Sequence, residues 1–409
     1  MKKMLMLASV ASMIDQFNMS NIDILRRHGY EVHVAANFEH GNTSTEQRVK
    51  EFKKELEELD IKYFHIDFSR NITDIKMNIK SYKQIRNLML INKYDFVHCH
   101  SPIGGVCGRL AAHSTKTMVI YTAHGFHFFK GAPIKNWLLY YPIERWLARY
   151  TDVLITINKE DYARAKKSFK AGRVEYIPGV GLDTKKFGMK TVDKIVKRNE
   201  LGIPENAKVL LSVGELSKRK NHEVVIKAIA KLNNPQIKYL VCGQGLLDSY
   251  LKELAKNYGV SKQVEFLGYR SDILEICAAS DVFVFPSLQE GLPVALMEAM
   301  ASGLPSVVSN IRGNIDLIKE GKGGYLCKPR NINGFAKAIS LLTQDAEKRR
   351  SMGNYNLETI KQFDVEKVKS ELLKIYHEQL GIVTVLQEGL AVERSSITCD
   401  TKTGYMNNN

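Results

Sequence analysis

The sequence contains no apolar run that approaches the roughly 20 residues needed for a membrane-spanning helix. Cysteine is scarce, with six in 409 residues, and most of them lie inside apolar strand or helix patterns. This distribution is typical of reduced, buried thiols in a cytosolic protein rather than of a disulfide framework. The six are Cys99, Cys107, Cys242, Cys277, Cys327 and Cys399.

Metal-binding patterns are also scarce. No pair of aspartates spaced D-x-D occurs anywhere, so a carboxylate clamp for a divalent cation has no support in the sequence. The only cluster that resembles a metal site is His98-Cys99-His100 with Cys107 nearby. It lacks a second ligand pair, and the end of a buried strand, YDFVHCH, explains it better than zinc does. We therefore expect no metal.

The first residues superficially resemble a signal peptide, because Met1-Lys2-Lys3 precedes the apolar stretch MLMLASVASM. Asp15 and Gln16 interrupt this stretch, and no convincing small-residue cleavage site follows. A first buried strand explains the pattern better, and we expect a cytoplasmic protein.

Positive charge is in excess. The formal net charge is +15, and residues 71–150 alone hold eleven Lys or Arg against three Asp or Glu. Such a bias favours anionic partners: nucleic acid, membrane headgroups or phosphorylated substrates. No nucleic-acid-binding motif accompanies it, so we expect a membrane surface or a lipid phosphate and no nucleic acid.

Hydrophobic periodicity divides the chain into two similar halves. In each half, short apolar runs alternate with helical stretches, such as 46–58 and 76–91 in the first, which predicts a parallel sheet with helices on both faces. The runs begin with KMLMLASV, reach VEYIPG, and restart at KVLLSVGEL. The joint lies near 177–188, where one proline and three glycines interrupt the pattern.

We therefore expect two doubly wound α/β domains that face each other across a cleft, because open parallel sheets bind ligands beyond the carboxyl ends of their strands. Residues 1–180 form the predicted first domain, completed by a helix at about 364–380, and residues 181–363 form the second. Residues 381–409 lose clear periodicity, which predicts a poorly structured tail.

The strongest motif is FPSLQEGLPVALMEAMASGLP at 285–305. After the strand, a short loop holds Glu290, Pro293 stands where a first helical residue would, and Glu298 follows Glu290 by eight positions. Two carboxylates placed in this way can accept hydrogen bonds from the hydroxyls of a sugar or ribose, and the start of the helix can hold a phosphate. On composition alone, two solvated helix charges explain the motif better.

This segment resembles the donor-site signature of the family 4 glycosyltransferases, E-G-x-x-x-x-x-x-E-A-x-A-x-G-x-P, with every fixed position present. The resemblance extends over roughly residues 1–380. Lys220, in SVGELSKRKNHEVVIKAI, matches the phosphate-binding lysine, and His124, in YTAHGFHFF, matches the histidine that abuts the reacting sugar. Further similar segments are the glycine turn LVCGQGLLDSYL (240–251), the base-packing loop VEFLGYRSDI (264–273) and the interdomain joint GVGLDTKKF (179–187).

One departure from the family pattern concerns the donor phosphates. The family usually has arginine after the strand glycine, where this chain has Glu215, and a carboxylate cannot grip a diphosphate. Lys220 is therefore the better phosphate ligand, with Arg219 or Lys218 as a second positive charge.

A second departure concerns the loop after the first strand. Many members have a Gly-Gly pair there, whereas residues 9–18 read SVASMIDQFN without glycine. The family's contacts in that loop do not carry over, and Asp15 and Asn18 remain candidates for acceptor recognition only.

The resemblance implies the GT-B fold, with two Rossmann-like domains facing a cleft. It also implies retaining transfer of an N-acetylhexosamine or hexose from a UDP-sugar to a lipid-linked or polysaccharide acceptor in cell-surface polysaccharide biosynthesis. No cofactor is expected, because Lys220 and a helix N-terminus can neutralise the leaving diphosphate. A double displacement needs a carboxylate close beneath the anomeric carbon, and since none identifies itself we favour front-face attack.

The resemblance assigns roles to individual residues. Glu290 holds hydroxyls of the transferred sugar, Glu298 holds the donor ribose, and His124 positions the sugar from the facing domain. The predicted catalytic residues are His124, Lys220 and Glu290. The predicted donor-binding residues are Gly214, Arg219, Lys220, Gly243, Gly245, Tyr269, Glu290, Gly291, Leu292, Pro293, Val294 and Glu298. The acceptor candidates are Asp15, Asn18, His100 and His127.

Residues 126–150 leave two interpretations open. The segment is either a long helix packed on the first sheet or a patch that docks peripherally on the anionic inner face of the plasma membrane. Because many family members glycosylate lipid-linked acceptors, the second interpretation gains weight. The residues concerned are the aromatics Trp137, Tyr140, Tyr141 and Trp146 and the basic Lys130, Lys135, Arg145 and Arg149.

Two other functions are considered. A GT-B sugar-nucleotide epimerase shares the fold and would release product without any acceptor. A non-catalytic glycan- or lipid-binding subunit is supported only by Glu215, and the intact Lys220, Glu290 and Glu298 argue against it.

Overall fold

The computed structural model describes residues 2–42, 44–69, 71–189 and 192–381. Within these residues the strands form two parallel sheets, one in each half of the chain. The first sheet contains β1 (Lys2–Val10), β2 (Tyr30–Asn37), β3 (Lys62–His65), β4 (Phe96–His100), β5 (Met118–Ala123), β6 (Val153–Thr156) and β7 (Arg173–Tyr176). The second contains β8 (Lys208–Val213), β9 (Ile237–Cys242), β10 (Val264–Gly268), β11 (Val282–Phe285), β12 (Ser306–Ser309) and β13 (Gly324–Cys327).

Both sheets are doubly wound. The strand orders are β3-β2-β1-β4-β5-β6-β7 and β10-β9-β8-β11-β12-β13, so the order reverses beside β1 in the first unit and beside β8 in the second. In the first unit, Met4 of β1 pairs with Val32 of β2 and Phe96 of β4. Because crossovers between parallel strands need helices, both faces of each sheet are covered, and central strands such as β4 and β11 are buried along their whole length.

Helices connect the strands. Those of the first half are α1 (Ala11–Phe17), α2 (Met19–Arg27), α3 (Glu46–Glu58), α4 (Ile75–Asn92), α5 (Pro102–Thr115), α6 (Ile134–Leu147), α7 (Lys159–Ser168) and α8 (Thr184–Met189). Those of the second half are α9 (Lys194–Glu200), α10 (His222–Leu232), α11 (Asp248–Asn257), α12 (Ile273–Ala279), α13 (Val294–Ala301), α14 (Asn314–Leu317), α15 (Ile332–Gln344), α16 (Ala346–Ile360) and α17 (Val365–Leu380). Among the described helices, none combines the length and hydrophobicity that a membrane crossing requires.

The first strand is buried. The side chains of Met4, Leu5, Met6 and Leu7 have no exposed surface, which confirms the prediction of a first buried strand. The five cysteines in the described part of the chain are also buried and unpaired. Cys399 and the predicted tail from residue 382 onward lie outside the described residues.

The last helix of the described residues, α17, packs against the first unit. The chain crosses between the units beside Leu182, whose N–H donates to the Phe363 carbonyl at 3.0 Å. Gly181 makes this crossing possible, because its φ is +79° and a Cβ there would lie 2.6 Å from Val365 Cα. Beyond the crossing, the buried Tyr376 hydroxyl meets His98 Nδ1 of β4 at 2.7 Å. Helix α17 is therefore part of the first unit's core.

Candidate active site

A cleft of about 940 Å³ lies between the two units. Its walls are the loops that follow β1, β4 and β5 in the first unit and β8, β11 and β12 in the second. These are the carboxyl ends of the strands nearest the switch points, where open parallel sheets bind ligands. Among the described residues that line the cleft, Glu290 is the one carboxylate.

Glu290 is held by two cations. Its Oε1 accepts from Lys220 Nζ at 2.8 Å and from Arg219 Nη1 at 3.1 Å. Lys220 is almost enclosed, with its Nζ 4.4 Å from the centre of the Phe285 ring. Burial lowers the pKa of Lys220, and the nearby Glu290 carboxylate opposes that shift. The pair therefore places a fixed cation and a fixed anion side by side in the cleft.

The start of α13 supplies amide donors beside this pair. The first intrahelical hydrogen bond runs from Met297 N to the Pro293 carbonyl at 3.2 Å, which makes Pro293 the N-cap. The N–H groups of Val294, Ala295 and Leu296 precede it and have no acceptor within the helix. Val294 and Ala295 line the cleft, so the positive end of the helix faces it. Pro293 was predicted as a first helical residue, whereas the helix begins at Val294.

His124 approaches from the first unit as a neutral imidazole. Burial lowers its pKa to about 4, so it carries no charge at neutral pH. Its Nε2 meets His100 Nδ1 at 3.0 Å, which leaves its other ring nitrogen for a ligand. His127 also lines the cleft and stacks on Tyr140, with ring centres 4.5 Å apart. The first unit therefore offers hydrogen-bonding groups but no positive charge at this point.

The two units touch directly below Glu290 and His124. A Cβ at Gly291 would lie 2.1 Å from the His124 carbonyl oxygen, and one at Gly125 would lie 3.0 Å from Gly291 Cα. The close approach leaves no space for any side chain at Gly291. Any shift of the loop that holds Glu290 would therefore be transmitted to the histidine loop.

Arg312 ties the units together at this contact. Its Nη1 donates to Asp161 Oδ1 at 2.8 Å and to the Phe126 carbonyl at 2.8 Å. Its Nε donates to the backbone carbonyl of Glu290 at 3.0 Å. The guanidinium also lies 4.7 Å from the centre of the Phe129 ring, and the whole residue is only 3% exposed. One side chain thus contacts both the loop of the second unit that carries Glu290 and the loop of the first unit that follows His124.

Asp161 is positioned for this ion pair by the start of α7. Its N–H donates to the Asn158 side chain at 2.8 Å, and its Oδ2 accepts from Asn158 Nδ2 at 2.8 Å and from Phe126 N at 3.0 Å. Burial raises the pKa of Asp161, and Arg312, Asn158 and Phe126 all oppose the rise. These three partners together stabilise the charged form of the buried carboxylate.

Sequence reasoning missed Arg312 and Asp161. Arg312 follows β12 directly, in SNIRGN, at a strand end of a doubly wound sheet, and that position was the available signal. Asp161 stands three residues after Asn158 at the start of a helix. Its local sequence therefore indicates only an acidic residue in the first helical turn. Their pairing spans 151 positions and leaves no local pattern.

Several predicted donor residues lie together at the cleft, whereas others lie apart from it. Gly214, Arg219, Lys220 and the segment 290–294 all line the cleft. Gly243 and Gly245 do not line the cleft. They pack against the loop that follows β8 and leads to Lys220, since a Cβ at Gly243 would lie 1.9 Å from the Gly214 carbonyl oxygen. Tyr269 is also outside the lining and 78% exposed.

Glu298 lies on the helix α13 but outside the described lining of the cleft. It is half-buried, and burial raises the pKa of its carboxyl to about 7, opposed by the positive charge of Lys186 on α8. Among the described residues, no hydrogen-bond donor contacts the Glu298 carboxylate, which is consistent with its raised pKa.

The acceptor candidates are divided. His127 lines the cleft, whereas His100 is buried behind His124. Asp15 accepts from Arg48 Nε at 3.0 Å, and Asn18 is fully buried with its Nδ2 on the Met13 carbonyl at 3.0 Å. Both are therefore occupied by intramolecular partners. Other polar residues of the first unit that line the cleft include Ser9, Ser12, Gln16, Ser69 and Ser101.

Comparisons with known proteins agree with this arrangement. Residues 193–359 match the family described as glycosyl transferases group 1, and residues 22–185 match glycosyltransferase family 4. The chain is 37% identical to the putative glycosyltransferase EpsD of Bacillus subtilis (strain 168), over 94% of this chain and 98% of that protein. It is 33% identical to the UDP-Gal:alpha-D-GlcNAc-diphosphoundecaprenol alpha-1,3-galactosyltransferase of Escherichia coli, over 77% and 83% of the two chains.

The fold has solved counterparts as well. HepE of Anabaena, crystallised with UDP and glucose, superimposes with a TM-score of 0.73 and 21% identity over 92% of this chain and 100% of that one. At that identity the likeness concerns the fold alone. Together with the two sequence relatives, it establishes that this chain belongs to the family 4 glycosyltransferases and has the GT-B fold.

Proposed function

We propose that this glycosyltransferase moves an N-acetylhexosamine or hexose from a UDP-sugar onto a lipid-linked or polysaccharide acceptor, with retention of configuration and without a metal. We place the reaction at the cytoplasmic face of the plasma membrane, in cell-surface polysaccharide biosynthesis. The named substrates of the Escherichia coli relative support the donor and the lipid acceptor. The observation that carries the proposal is the Lys220–Glu290 pair beside the free amides of α13.

Departure of the nucleoside diphosphate requires positive charge at its phosphates. Lys220 supplies a fixed cation, and the N–H groups of Val294 and Ala295 supply donors that need no reorganisation. Arg219, which lines the same cleft and contacts Glu290, adds a second cation. Glu215 itself is exposed and lies outside the lining of the cleft, so it does not take the place of Lys220 at the phosphates. These groups can stabilise the leaving diphosphate without a divalent cation.

The transferred sugar would lie between Glu290 and His124. The Glu290 carboxylate accepts hydrogen bonds from its hydroxyls, and the neutral His124 imidazole contacts it from the first unit. Glu290 is the single carboxylate among the described lining residues, and its side chain is bound to the two cations. A double displacement needs a carboxylate close beneath the anomeric carbon, and this lining offers no second one. This arrangement supports front-face attack.

The transfer reaction itself is the first test. We expect the purified protein to form product from a UDP-sugar and a GlcNAc-diphosphate lipid, with the same rate after treatment with EDTA, and NMR to show the donor's anomeric configuration in the product. Loss of activity that magnesium or manganese restores would refute the metal-free proposal. Conversion of the UDP-sugar without acceptor would indicate an epimerase.

Glu298 is proposed to bind the donor ribose, and its pKa makes that role measurable. Because ribose hydroxyls favour the charged carboxylate, uridine affinity should rise as pH increases through about 7 in the wild type and change far less in Glu298→Gln. Uridine is the suitable probe because it has no phosphate that titrates in this range. Equal pH profiles for the two proteins, by calorimetry between about pH 5.5 and about pH 8, would remove Glu298 from the ribose site.

The same pKa predicts a stability effect of opposite direction in the ligand-free protein. The folded state binds the Glu298 proton more tightly than the unfolded chain does. Its contribution to stability is therefore complete below the ordinary glutamate pKa and is lost as pH rises through about 7.

The helix α6 supports peripheral attachment to a membrane, although three of the four aromatics first considered do not face outward. Trp137, Tyr140 and Tyr141 are half-buried and pack on the first unit's core. The exposed apolar side chains are instead Ile134, Leu138, Leu139 and Trp146, at 76%, 75%, 41% and 46% exposure. Lys135, Arg145 and Arg149 are exposed on the same helix and its immediate extension. Apolar and basic side chains mixed on one face suit an anionic lipid surface.

Sedimentation with liposomes tests this surface. Wild type should bind anionic vesicles, less so at high salt, and each lost charge near the lipid should weaken binding about fivefold. Arg145→Gln/Arg149→Gln and Ile134→Ser/Leu138→Ser should both reduce binding, whereas Lys319→Gln/Lys322→Gln in the second unit should not. A wild-type protein that stays in the supernatant with anionic vesicles at low salt would rule out membrane docking.

A further inference from the structure

A second groove, of about 1080 Å³, adjoins the active-site cleft and shares Arg219, Gln289 and Arg312 with it. We call it the basic groove. Its walls come from the segment around the start of α6 in the first unit and from the loops that follow β8, β11, β12 and β13 in the second. The groove thus runs from the reaction cleft to the exposed end of α6.

Charge is strongly unbalanced in the basic groove. Seven Lys or Arg line it against one acidic residue, Glu160, among the residues that the structure describes. Glu160 already pairs with Arg164 at 3.2 Å, while Arg219 and Arg312 have Glu290 and Asp161 as partners. The other five have no ion pair with any described residue: Lys130, Lys135, Lys218, Lys328 and Arg330. Converging cations repel each other, and a bound anion would relieve that repulsion.

The wall that carries Lys328 and Arg330 is held in place. Asn221 Nδ2 donates to the Pro329 carbonyl at 2.8 Å and to the Pro286 carbonyl at 3.0 Å, which ties this loop to the end of β11. The loops that follow β8 and β11 are tied to each other, since Leu288 N donates to the Arg219 carbonyl at 2.8 Å. The basic groove is therefore formed before any ligand binds, which lowers the cost of ordering it.

An apolar shoulder lies at the outer end of the basic groove. Pro133 and Lys135 line the groove, and Ile134 between them is 76% exposed. Leu138, one turn further along the helix, is 75% exposed. A ligand that fits both parts has an anionic head and an apolar chain.

We propose that the basic groove binds the diphosphate of a polyprenyl-linked acceptor, with Lys328 and Arg330 as ligands and the prenyl chain leaving over Ile134 and Leu138. The inference rests on the proposed function, because it presumes a lipid-linked acceptor. A diphosphate brings several negative charges to the five unpaired cations, and each charge-assisted hydrogen bond is stronger than a neutral one. Because the basic groove shares Arg219 and Arg312 with the cleft, the acceptor's sugar would extend from the groove toward the donor.

Binding of farnesyl diphosphate to the full chain, measured by calorimetry with saturating UDP, tests the site directly. Saturating UDP fills the site that binds the donor phosphates, so farnesyl diphosphate can bind only at other sites. We expect Lys328→Gln/Arg330→Gln to weaken binding about tenfold or more, with UDP affinity unchanged. Lys319→Gln/Lys322→Gln, which removes the same charge from the same unit outside the groove, should bind as the wild type does. Inorganic pyrophosphate should bind more weakly than farnesyl diphosphate because it lacks the chain.

The transfer assay supplies the second measurement. Lys328→Gln/Arg330→Gln should raise KM for a GlcNAc-diphosphate lipid about tenfold and leave KM for the UDP-sugar unchanged. Unchanged probe affinity in the variant, displacement of the probe by UDP, or equal affinity for pyrophosphate would each overturn the proposal. A wild-type protein that binds the probe in the groove but transfers no sugar to any lipid would instead refute the proposed acceptor and leave the groove as an anion site.

Discussion

Glu290→Gln is expected to lower turnover by about two to three orders of magnitude while UDP affinity stays the same or rises a few-fold. Turnover and UDP affinity are expected to respond differently because Glu290 has two roles. It is proposed to hold the sugar hydroxyls, yet in the ligand-free protein it also neutralises Lys220 and Arg219. Glutamine keeps the shape but removes the charge, which frees both cations for the diphosphate.

Steady-state kinetics and UDP calorimetry separate these effects. Glu253→Gln, on an exposed position of α11, is the matched control and should retain wild-type values for both. If UDP affinity fell in Glu290→Gln by as much as turnover, Glu290 would be a nucleotide ligand and the assignment to the sugar would be wrong.

Arg312→Met is expected to destabilise the fold by about 3–5 kcal/mol and to lower turnover, because it leaves Asp161 charged and uncompensated in the interior. Arg312 and Asp161 have side-chain exposures of 1% and 0%. The same change loosens the Glu290 loop, whose carbonyl accepts from Arg312. Lysine at this position cannot reproduce the forked contacts and should rescue only in part.

Thermal or denaturant unfolding measures the first effect, and a double-mutant cycle isolates the pair. Arg312→Met/Asp161→Asn should lose less stability than the two single variants added together, because the uncompensated charge is gone. Lys252→Met, which removes an exposed pair with Asp248, should cost well under about 1 kcal/mol. Additive losses in the cycle would show that Arg312 and Asp161 act independently.

Helices with local signals were predicted closely from the sequence. The stretch 46–58 is observed as Glu46–Glu58, and 76–91 as Ile75–Asn92. Both begin at a capping side chain: Thr45 accepts from Arg48 N, and Asp74 accepts from Met77 N. Periodicity and caps are properties of neighbouring residues, so they can be read without the fold.

Properties that depend on long-range contact could not be read in this way. Asp15 and Asn18 are polar and follow a strand end, as ligand-binding residues do, but Arg48 and the Met13 carbonyl take up their hydrogen bonds. The aromatic side chains of α6 face inward or outward according to where the helix meets the sheet, and periodicity left both interpretations open. The family signature found Glu290 and Lys220, whereas their 2.8 Å contact required coordinates.

The return of α17 to the first unit has a consequence for biosynthesis. The strands of the first sheet are complete at Tyr176, yet the hydroxyl that satisfies the buried His98 belongs to Tyr376. A ribosome therefore releases about two hundred further residues before the first unit can close around its own core. During that interval the second unit, whose strands lie between Lys208 and Cys327, emerges entire and can fold first. Translation of this chain therefore begins with the strands of the first unit and completes that unit only after the second unit has been synthesised.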